Sequence, residues 1–269
     1  MIINFSIQFY FLLIHYKDIG CFHLKWFFIP PISVIFKSTN PLFMFKDLIN
    51  LLFPKSCSGC FTILLAQEEL LCTACRAALP FTNQHLYTAN EAMGKFYGKV
   101  KIQQASCLFY YAKNGIVSNL LHQLKYNNQP AIGFTLGRLY AEFLAESQAF
   151  PMVDFLVPVP LHRKKLRQRG YNQVDGFAKA LSQRFQVPLH PSVLIKAKQT
   201  ASQTTKSFQE RIQAKPTVFQ LQSTADLAGK HFLLLDDILT TGSTLETCAR
   251  LLLQIPDSKV SILCLAYTK

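Results

Sequence analysis

Two adjacent carboxylates followed by a run of small hydroxyl residues form the segment of this chain best suited to chemistry. Asp236 and Asp237 end an apolar run that starts at His231. The residues of the loop that follows are Thr240, Thr241, Gly242, Ser243 and Thr244. Such a loop can surround a phosphate with N–H and hydroxyl groups, and the N-terminus of a following helix favours the negative charge. An ordinary turn with a helix cap is the alternative interpretation.

The neighbouring carboxylates extend this interpretation, because they can accept hydrogen bonds from the hydroxyls of a sugar. The Gly-Lys-Ser/Thr sequence of a Walker loop does not occur in the segment, which separates it from the nucleotide-binding loops of that type. The segment therefore predicts a binding site for a phosphorylated sugar.

A second group of reactive side chains consists of two Cys-x-x-Cys pairs, formed by Cys57, Cys60, Cys72 and Cys75. Each pair can direct two thiolates at one ion, and four sulfur ligands complete the tetrahedral shell of Zn²⁺. Because four protein ligands leave no open position, the predicted zinc site is structural. Redox-active or merely buried thiols are the alternative. Zinc rather than disulfides indicates a reducing, cytoplasmic environment.

A basic stretch follows the Pro-Val-Pro sequence at Pro158. Its five cationic residues are Arg163, Lys164, Lys165, Arg167 and Arg169. A basic loop at this place can neutralise a diphosphate or follow a nucleic-acid backbone. A solvated surface loop is the alternative. Tyr126 and Tyr171 could stack on bases there or belong to the core.

Alternating strand and helix patterns supply the elements that must position these groups. Strands are predicted at 106–111, 153–159, 231–235 and 259–266, and apolar residues recur at helical spacing over 116–124, 132–144, 174–185 and 243–253. Asn172 is predicted to cap the third of these helices. This alternation predicts an α/β domain with a parallel sheet. In such sheets ligands bind beyond the carboxyl ends of the strands, where the acid pair and its loop lie.

The first 43 residues differ in composition from the rest of the chain, since they hold 8 of its 23 Phe and contain no Ala, Glu or Arg. Lys17, Asp18, Pro30 and Pro31 interrupt the apolar runs, which argues against a stable membrane span. A signal peptide is not expected either, because no Lys or Arg precedes the first apolar run and no Ala-x-Ala cleavage site follows it. We expect translated upstream sequence with Met44 as the start, and a genuine hydrophobic extension is the alternative.

The length and charge of the chain limit its possible domain organisation and partners. We predict an extension over residues 1–43, a zinc-binding module over 44–80 and one α/β domain over 81–269. The chain carries 28 Lys and Arg against 15 Asp and Glu, a formal charge of +13. This excess of positive charge favours a polyanion or a phosphorylated ligand as partner.

The segment 233–244 resembles the phosphoribosyl diphosphate motif of type I phosphoribosyltransferases, with every motif position filled. The resemblance implies that Asp236 and Asp237 hold the ribose 2- and 3-hydroxyls. It implies that the residues from Thr240 to Thr244 hold the 5-phosphate, and that magnesium accompanies phosphoribosyl diphosphate.

The order of features from about Met44 to the end resembles the ComF family of competence proteins. That order comprises the two cysteine pairs, Pro-Val-Pro, Arg-Gly-Tyr-Asn-Gln, a Gln-rich segment and the acid pair with its loop. The positions closest to the family signature are Arg169, Gly170, Asn172 and Gln173. The family also implies a mobile loop between Lys196 and Phe219, where Lys196, Lys198 and Ala214 depart from its usual residues.

Two functions of different classes follow from this resemblance. In the first, the chain is a phosphoribosyltransferase in which a nitrogen nucleophile displaces diphosphate from C1, although the sequence identifies no catalytic base. In the second, the same fold binds single-stranded DNA or nucleotides without catalysis. In both, the family implies a role in DNA uptake, with single-stranded DNA and DNA-uptake proteins as partners.

Overall fold

A four-stranded parallel sheet lies at the centre of the computed structural model, which describes residues 54–127, 129–147, 149–196, 219–222 and 226–269. Its strands are β1 (Ala105–Tyr110), β2 (Phe155–Pro158), β5 (His231–Leu239) and β6 (Lys259–Tyr267), in the spatial order β1-β6-β5-β2. Two further strands, β3 (Leu194–Lys196) and β4 (Phe219–Leu221), pair antiparallel outside this sheet. The predicted α/β fold with a parallel sheet is confirmed.

The described residues contain the four helices that the sequence pattern predicts and three shorter ones. They are α1 (Thr73–Ala77), α2 (Glu91–Gly94), α3 (Ile116–Tyr126), α4 (Pro130–Glu146), α5 (Arg163–Arg169), α6 (Asp175–Phe185) and α7 (Ser243–Leu252), with one 3-10 turn at Gln84–Leu86. Among the described residues, no helix has the length and apolar character needed to cross a membrane.

Both faces of the sheet are covered, and β5 shows this most clearly. Leu233 and Leu235 pack in the apolar cluster that contains α3, α4 and α6, whereas Phe232 and Leu234 pack in the cluster that contains α7. Successive side chains of a strand point to opposite faces. A strand buried on both faces is therefore apolar at every position, which explains the uninterrupted run from Phe232 to Leu235.

The basic stretch after β2 is a short helix, so the prediction of a loop there was wrong. Every residue of α5 has a reasonable helix propensity, and the His162 ring accepts a hydrogen bond from the Lys164 N–H at 3.2 Å. Gly170, with φ of 78°, ends the helix in the left-handed conformation that favours glycine. Local capping therefore converts a run of like charges into a helical turn.

Asn172 does not cap α6, which corrects a second prediction. The helix begins after Val174, and the Asn172 side-chain amide instead donates to the Val159 carbonyl at 3.0 Å. This contact links the segment before α6 to the end of β2. The predicted extension over 1–43, the start at Met44, and Lys198 and Ala214 lie outside the described residues.

Candidate functional site

The acid pair and its loop lie together at the carboxyl edge of the sheet. Asp236 lies opposite Cys264 in the parallel pairing of β5 with β6. On the other side of β5, Pro158 of β2 lies opposite Leu235, the residue before Asp236. The chain leaving β2 toward α5 therefore starts beside the acids, as the sequence pattern predicted for ligand binding at this edge.

The loop between β5 and α7 depends on glycine at position 242. Gly242 is buried, and its φ of 81° belongs to the left-handed region. A Cβ at this position would lie 3.2 Å from Cε1 of Phe96. The hydroxyl residues around it, which are Thr240, Thr241, Ser243 and Thr244, are all exposed. The turn therefore presents a ring of hydroxyls at the N-terminus of α7, an arrangement that suits an anion.

Replacing Gly242 by alanine is expected to destabilise the protein by about 1–2 kcal/mol, the usual cost of a left-handed conformation for a residue with a Cβ. Crowding against Phe96 adds to that cost. The matched control is Gly94→Ala, because a Cβ at Gly94 would have nothing within 4 Å. Urea unfolding measures both variants. Equal stability of the two variants would contradict the requirement for glycine in the turn.

The two carboxylates differ in their surroundings. Asp237 is buried at 4% exposure, whereas Asp236 is partly exposed. One oxygen of Asp236 accepts a hydrogen bond from the Asp237 backbone N–H at 2.8 Å. Although the residue is partly exposed, desolvation of its carboxyl group inside the fold, followed by the adjacent charge of Asp237, raises the pKa of Asp236 to about 8. The pair therefore resists carrying two negative charges at once, as close carboxylates generally do.

Lys125, at the end of α3, is a member of this site that the sequence analysis missed. Its Nζ lies 2.6 Å from Oδ2 of Asp237, and the two side chains are 23% and 6% exposed. The contact is a close ion pair without the angles of a hydrogen bond, since Oδ2 has no hydrogen-bond partner. In the sequence, Lys125 is one polar residue at the end of an amphipathic helix. No local pattern could have pointed to it.

A basic cavity of about 450 Å³ adjoins this ion pair. Its lining residues are Lys125, Tyr126, Arg167, Gln168, Arg169, Gly170 and Tyr171. The Arg169 guanidinium lies 5.1 Å from the centre of the Tyr126 ring and donates a hydrogen bond to Gln173 at 2.8 Å. The Tyr171 hydroxyl donates to the Leu124 carbonyl. Tyr171 is thus bonded within the protein, whereas Tyr126 is 62% exposed.

The structure separates the residues of the basic stretch into three groups. Arg167, Arg169 and Gly170 line the cavity. Asn172 and Gln173 are each 8% exposed and support the wall behind it. Exposed Arg163 and Lys164, in the first turn of α5, are not among the lining residues. The sequence alone could not make this distinction.

The four cysteines of the two pairs converge, with all their Sγ atoms within 4.8 Å of one another. The sulfurs of Cys60 and Cys72 are 3.7 Å apart, close to the separation of about 3.8 Å in a tetrahedron with Zn–S bonds of about 2.3 Å. The Thr62 hydroxyl and backbone N–H hold the pKa of the Cys60 thiol down to about 6. Burial raises the pKa of the Cys75 thiol instead. The convergence of the four sulfurs is therefore what makes the cluster able to bind a metal ion.

Helix α3 connects this cysteine cluster to the acid pair. Near the middle of the helix, Asn119 donates to the Gly59 carbonyl at 2.7 Å and Gln123 donates to the Ser58 carbonyl at 3.2 Å. Both carbonyls belong to the first cysteine knuckle. Two residues beyond Gln123, Lys125 reaches Asp237. The same helix thus contacts both predicted sites.

Known proteins resemble this chain over part of its length. A family model described as phosphoribosyl transferase domain matches residues 176–269. DNA utilization protein YhgH of Salmonella typhi is 30% identical over 155 residues, covering 56% of this chain and 67% of that protein. Competence protein F of Haemophilus influenzae is 31% identical over 152 residues, covering 54% of this chain and 66% of that protein.

Two further similarities are more distant. Competence protein ComFC of Bacillus subtilis is 27% identical over 146 residues, or 54% of this chain and 56% of that protein. Among solved structures, the glutamine phosphoribosylpyrophosphate amidotransferase of B. subtilis covers 53% of this chain and 30% of its own, at 17% identity and a TM-score of 0.38. The chain belongs to the ComF family of competence and DNA utilization proteins, with a phosphoribosyltransferase domain.

Proposed function

We propose that this chain binds phosphoribosyl diphosphate at the carboxyl edge of its sheet. The observation that carries the proposal is the loop at Gly242, which presents exposed hydroxyls at the N-terminus of α7 directly after two carboxylates. Asp236 and Asp237 accept hydrogen bonds from the ribose hydroxyls. The 5-phosphate binds to the loop from Thr240 to Thr244, where N–H groups and the helix dipole favour it.

The basic cavity is the proposed site of the diphosphate. Its volume of about 450 Å³ falls within the range of small-molecule sites. Arg167 and Arg169 supply cationic groups, and Arg169 is held by Gln173 and the Tyr126 ring. Gly170 ends α5 beside them, while Asn172 and Gln173 hold the wall in place. Arg163 and Lys164 lie further out on α5, where they can contact a longer anion such as a nucleic acid.

Magnesium suits the acid pair, because Mg²⁺ prefers carboxylate and phosphate oxygens and an ammonium group already lies beside Asp237. When bound, the ion would neutralise phosphate charge. The protein itself holds the ribose through the acids and the 5-phosphate through the loop, which orients C1 toward the edge of the sheet. Such positioning is the larger part of catalysis in reactions of this kind.

As an enzyme, the chain would be a pentosyl transferase. The lone pair of a nitrogen nucleophile forms a bond to C1 while the C1–O bond breaks and diphosphate leaves with its electron pair. Arg167 and Arg169 would stabilise the charge that develops on diphosphate. We assign no general base, and the proposal of turnover rests on the fold.

We propose that the four cysteines hold structural zinc. The closed sulfur shell excludes an open catalytic position. The seven cysteines among the described residues are all free thiols, which is the state expected in a reducing, cytoplasmic compartment.

The names of the relatives support a place for this chain in DNA uptake or DNA utilization. The second candidate function is binding of single-stranded DNA without catalysis, with DNA-uptake proteins as further partners. The feature that favours it is the exposed cationic first turn of α5. Together with the formal charge of +13, it can follow a phosphate backbone. Arg163 and Lys164 are the residues of choice for this contact.

Calorimetric titration of the full-length chain with phosphoribosyl diphosphate and magnesium tests the first function. We expect saturable binding by the unmodified protein and none by the Asp236→Asn/Asp237→Asn double variant, because amides leave the ribose hydroxyls without charged acceptors. Asp154→Asn is the matched control, since Asp154 is bonded to His231 and Lys230, residues outside the proposed site. Equal binding by the double variant would refute the assignment of the acids.

A parallel titration with single-stranded DNA separates the two functions. Binding that weakens steeply with salt would support phosphate contacts by the α5 cations. Neutralising Arg163 and Lys164 together should reduce the salt dependence of DNA binding while leaving phosphoribosyl diphosphate binding intact. DNA binding without any binding of the sugar phosphate would reject the first function and support the second.

A further inference from the structure

The Lys125–Asp237 pair places a protein cation inside the acid pair of the proposed sugar site. Lys125 Nζ is 2.6 Å from Oδ2 of Asp237, and the Asp237 side chain is only 6% exposed. A buried carboxylate needs a compensating cation, since removing one partner leaves an uncompensated charge. In the protein without ligand, Lys125 meets that need.

Lys125 also faces a second environment, because it lines the basic cavity with Arg167 and Arg169. Without an anion, these like charges repel one another, and the ammonium is better placed on Asp237. An anion in the cavity would attract the Lys125 ammonium and so favour its move away from Asp237. The Lys125 side chain is long, flexible and 23% exposed, so it can turn from the carboxylate to an anion in the adjoining cavity.

We propose that Lys125 is a positioning residue that occupies the cation position beside Asp237 until the magnesium complex of a sugar diphosphate arrives, and then exchanges onto the diphosphate. The inference rests on the proposed function, because it concerns the same acid pair. It assigns Lys125 two partners: Asp237 in the free protein and the anion in the bound protein.

This exchange makes metal binding dependent on the sugar diphosphate. A divalent cation alone must displace the Lys125 ammonium into a cavity that already holds two guanidinium groups, which is unfavourable. The magnesium complex of the ligand brings the negative charge that receives the displaced ammonium. The free protein therefore leaves free magnesium unbound and admits it together with the ligand.

The first test titrates the full-length protein with Mn²⁺ alone and follows the electron paramagnetic resonance signal of the free ion. Lys125→Met keeps the unbranched stem and removes the charge, and we expect Mn²⁺ to bind this variant about tenfold more tightly than the unmodified protein, an effect of one close charge. Lys179→Met is the matched control, since Lys179 is exposed on α6 and its loss should leave Mn²⁺ binding unchanged.

The second test repeats the titration with phosphoribosyl diphosphate and magnesium. Loss of the Lys125 charge should weaken this binding about tenfold, because the diphosphate loses a cation. Lys125→Arg keeps the charge and should restore both properties in part. If Lys125 only stabilised the fold, its replacement would not strengthen Mn²⁺ binding and weaken sugar diphosphate binding at the same time.

Mn²⁺ affinity that is unchanged or weaker in Lys125→Met overturns the proposal, and so does tighter binding of the sugar diphosphate by that variant. Circular dichroism checks that the variant is folded, and Lys125→Gln replaces it if it is not. Failure of the unmodified protein to bind phosphoribosyl diphosphate would instead reject the proposed function. The Mn²⁺ result separates these two failures, because it needs no sugar ligand.

Discussion

Replacement of Cys75 by serine is expected to abolish metal binding at the cysteine cluster and to destabilise the protein on the order of 5 kcal/mol, a large part of the stability of a domain. Cys75 is one of the two buried residues of the four-cysteine cluster. It packs with Cys57 and Leu71 in the same apolar cluster as Leu120 of α3. Loss of the metal should therefore destabilise this apolar cluster as well as the two Cys-x-x-Cys turns.

The measurement combines zinc content by atomic absorption with thermal unfolding. Cys248→Ser is the matched control, because Cys248 is also buried but belongs to α7 and the other apolar cluster. It should lose some stability and keep its zinc. A Cys75→Ser protein that retains one zinc per chain would refute the four-sulfur site.

The Cys75→Ser substitution should also affect the acid pair, because α3 contacts both the cysteine cluster and Asp237. Asn119 and Gln123 bond to the first knuckle, and Lys125 on the same helix bonds to Asp237. If the knuckle unfolds, the end of α3 loses its support. Binding of phosphoribosyl diphosphate by Cys75→Ser should then weaken, whereas Cys248→Ser should bind it normally.

Asp236→Asn is expected to stabilise the protein at alkaline pH while abolishing sugar phosphate binding. Burial and the Asp237 charge raise the pKa of Asp236 from 3.8 to about 8. Between these pH values the folded protein keeps a proton that the unfolded chain has released, so its stability falls as pH rises from about 4 to about 8. Asparagine cannot ionise, and the variant should escape that loss.

Urea unfolding at pH 6 and pH 9, without added magnesium, measures the effect. We expect a gain on the order of 2 kcal/mol at pH 9, since each tenfold change in ionisation corresponds to about 1.4 kcal/mol. Asp154→Asn should do the opposite, because the His231 N–H bond lowers the pKa of Asp154 and its charge stabilises the fold. An Asp236→Asn protein with no gain at pH 9 would show that the pKa of Asp236 is not raised in the folded protein.

Local patterns predicted the elements of the site, and the bounds of α7 to within one residue. The predicted end of β5 at Leu235 was wrong, because the strand continues to Leu239 and includes both acids. Strand β5 and helix α7 were predictable because apolar runs and a turn specify them, and these depend on residues close together in the chain. The convergence of the four cysteines follows in the same way, because each Cys-x-x-Cys pair closes a turn by itself. The helix α5 was missed, since a run of five cations looks like a loop unless its caps at His162 and Gly170 are recognised.

The amino-acid sequence by itself determined the alternating fold, the cysteine cluster and the acid pair with its hydroxyl loop, because these depend on periodicity and on residues close together in the chain. Only the tertiary structure decided that Lys125 pairs with Asp237, that Arg167 and Arg169 line a cavity while Arg163 does not, and that α3 contacts both sites. Such contacts join residues far apart in the chain. They depend on how helices pack on the sheet, which side-chain spacing alone does not specify.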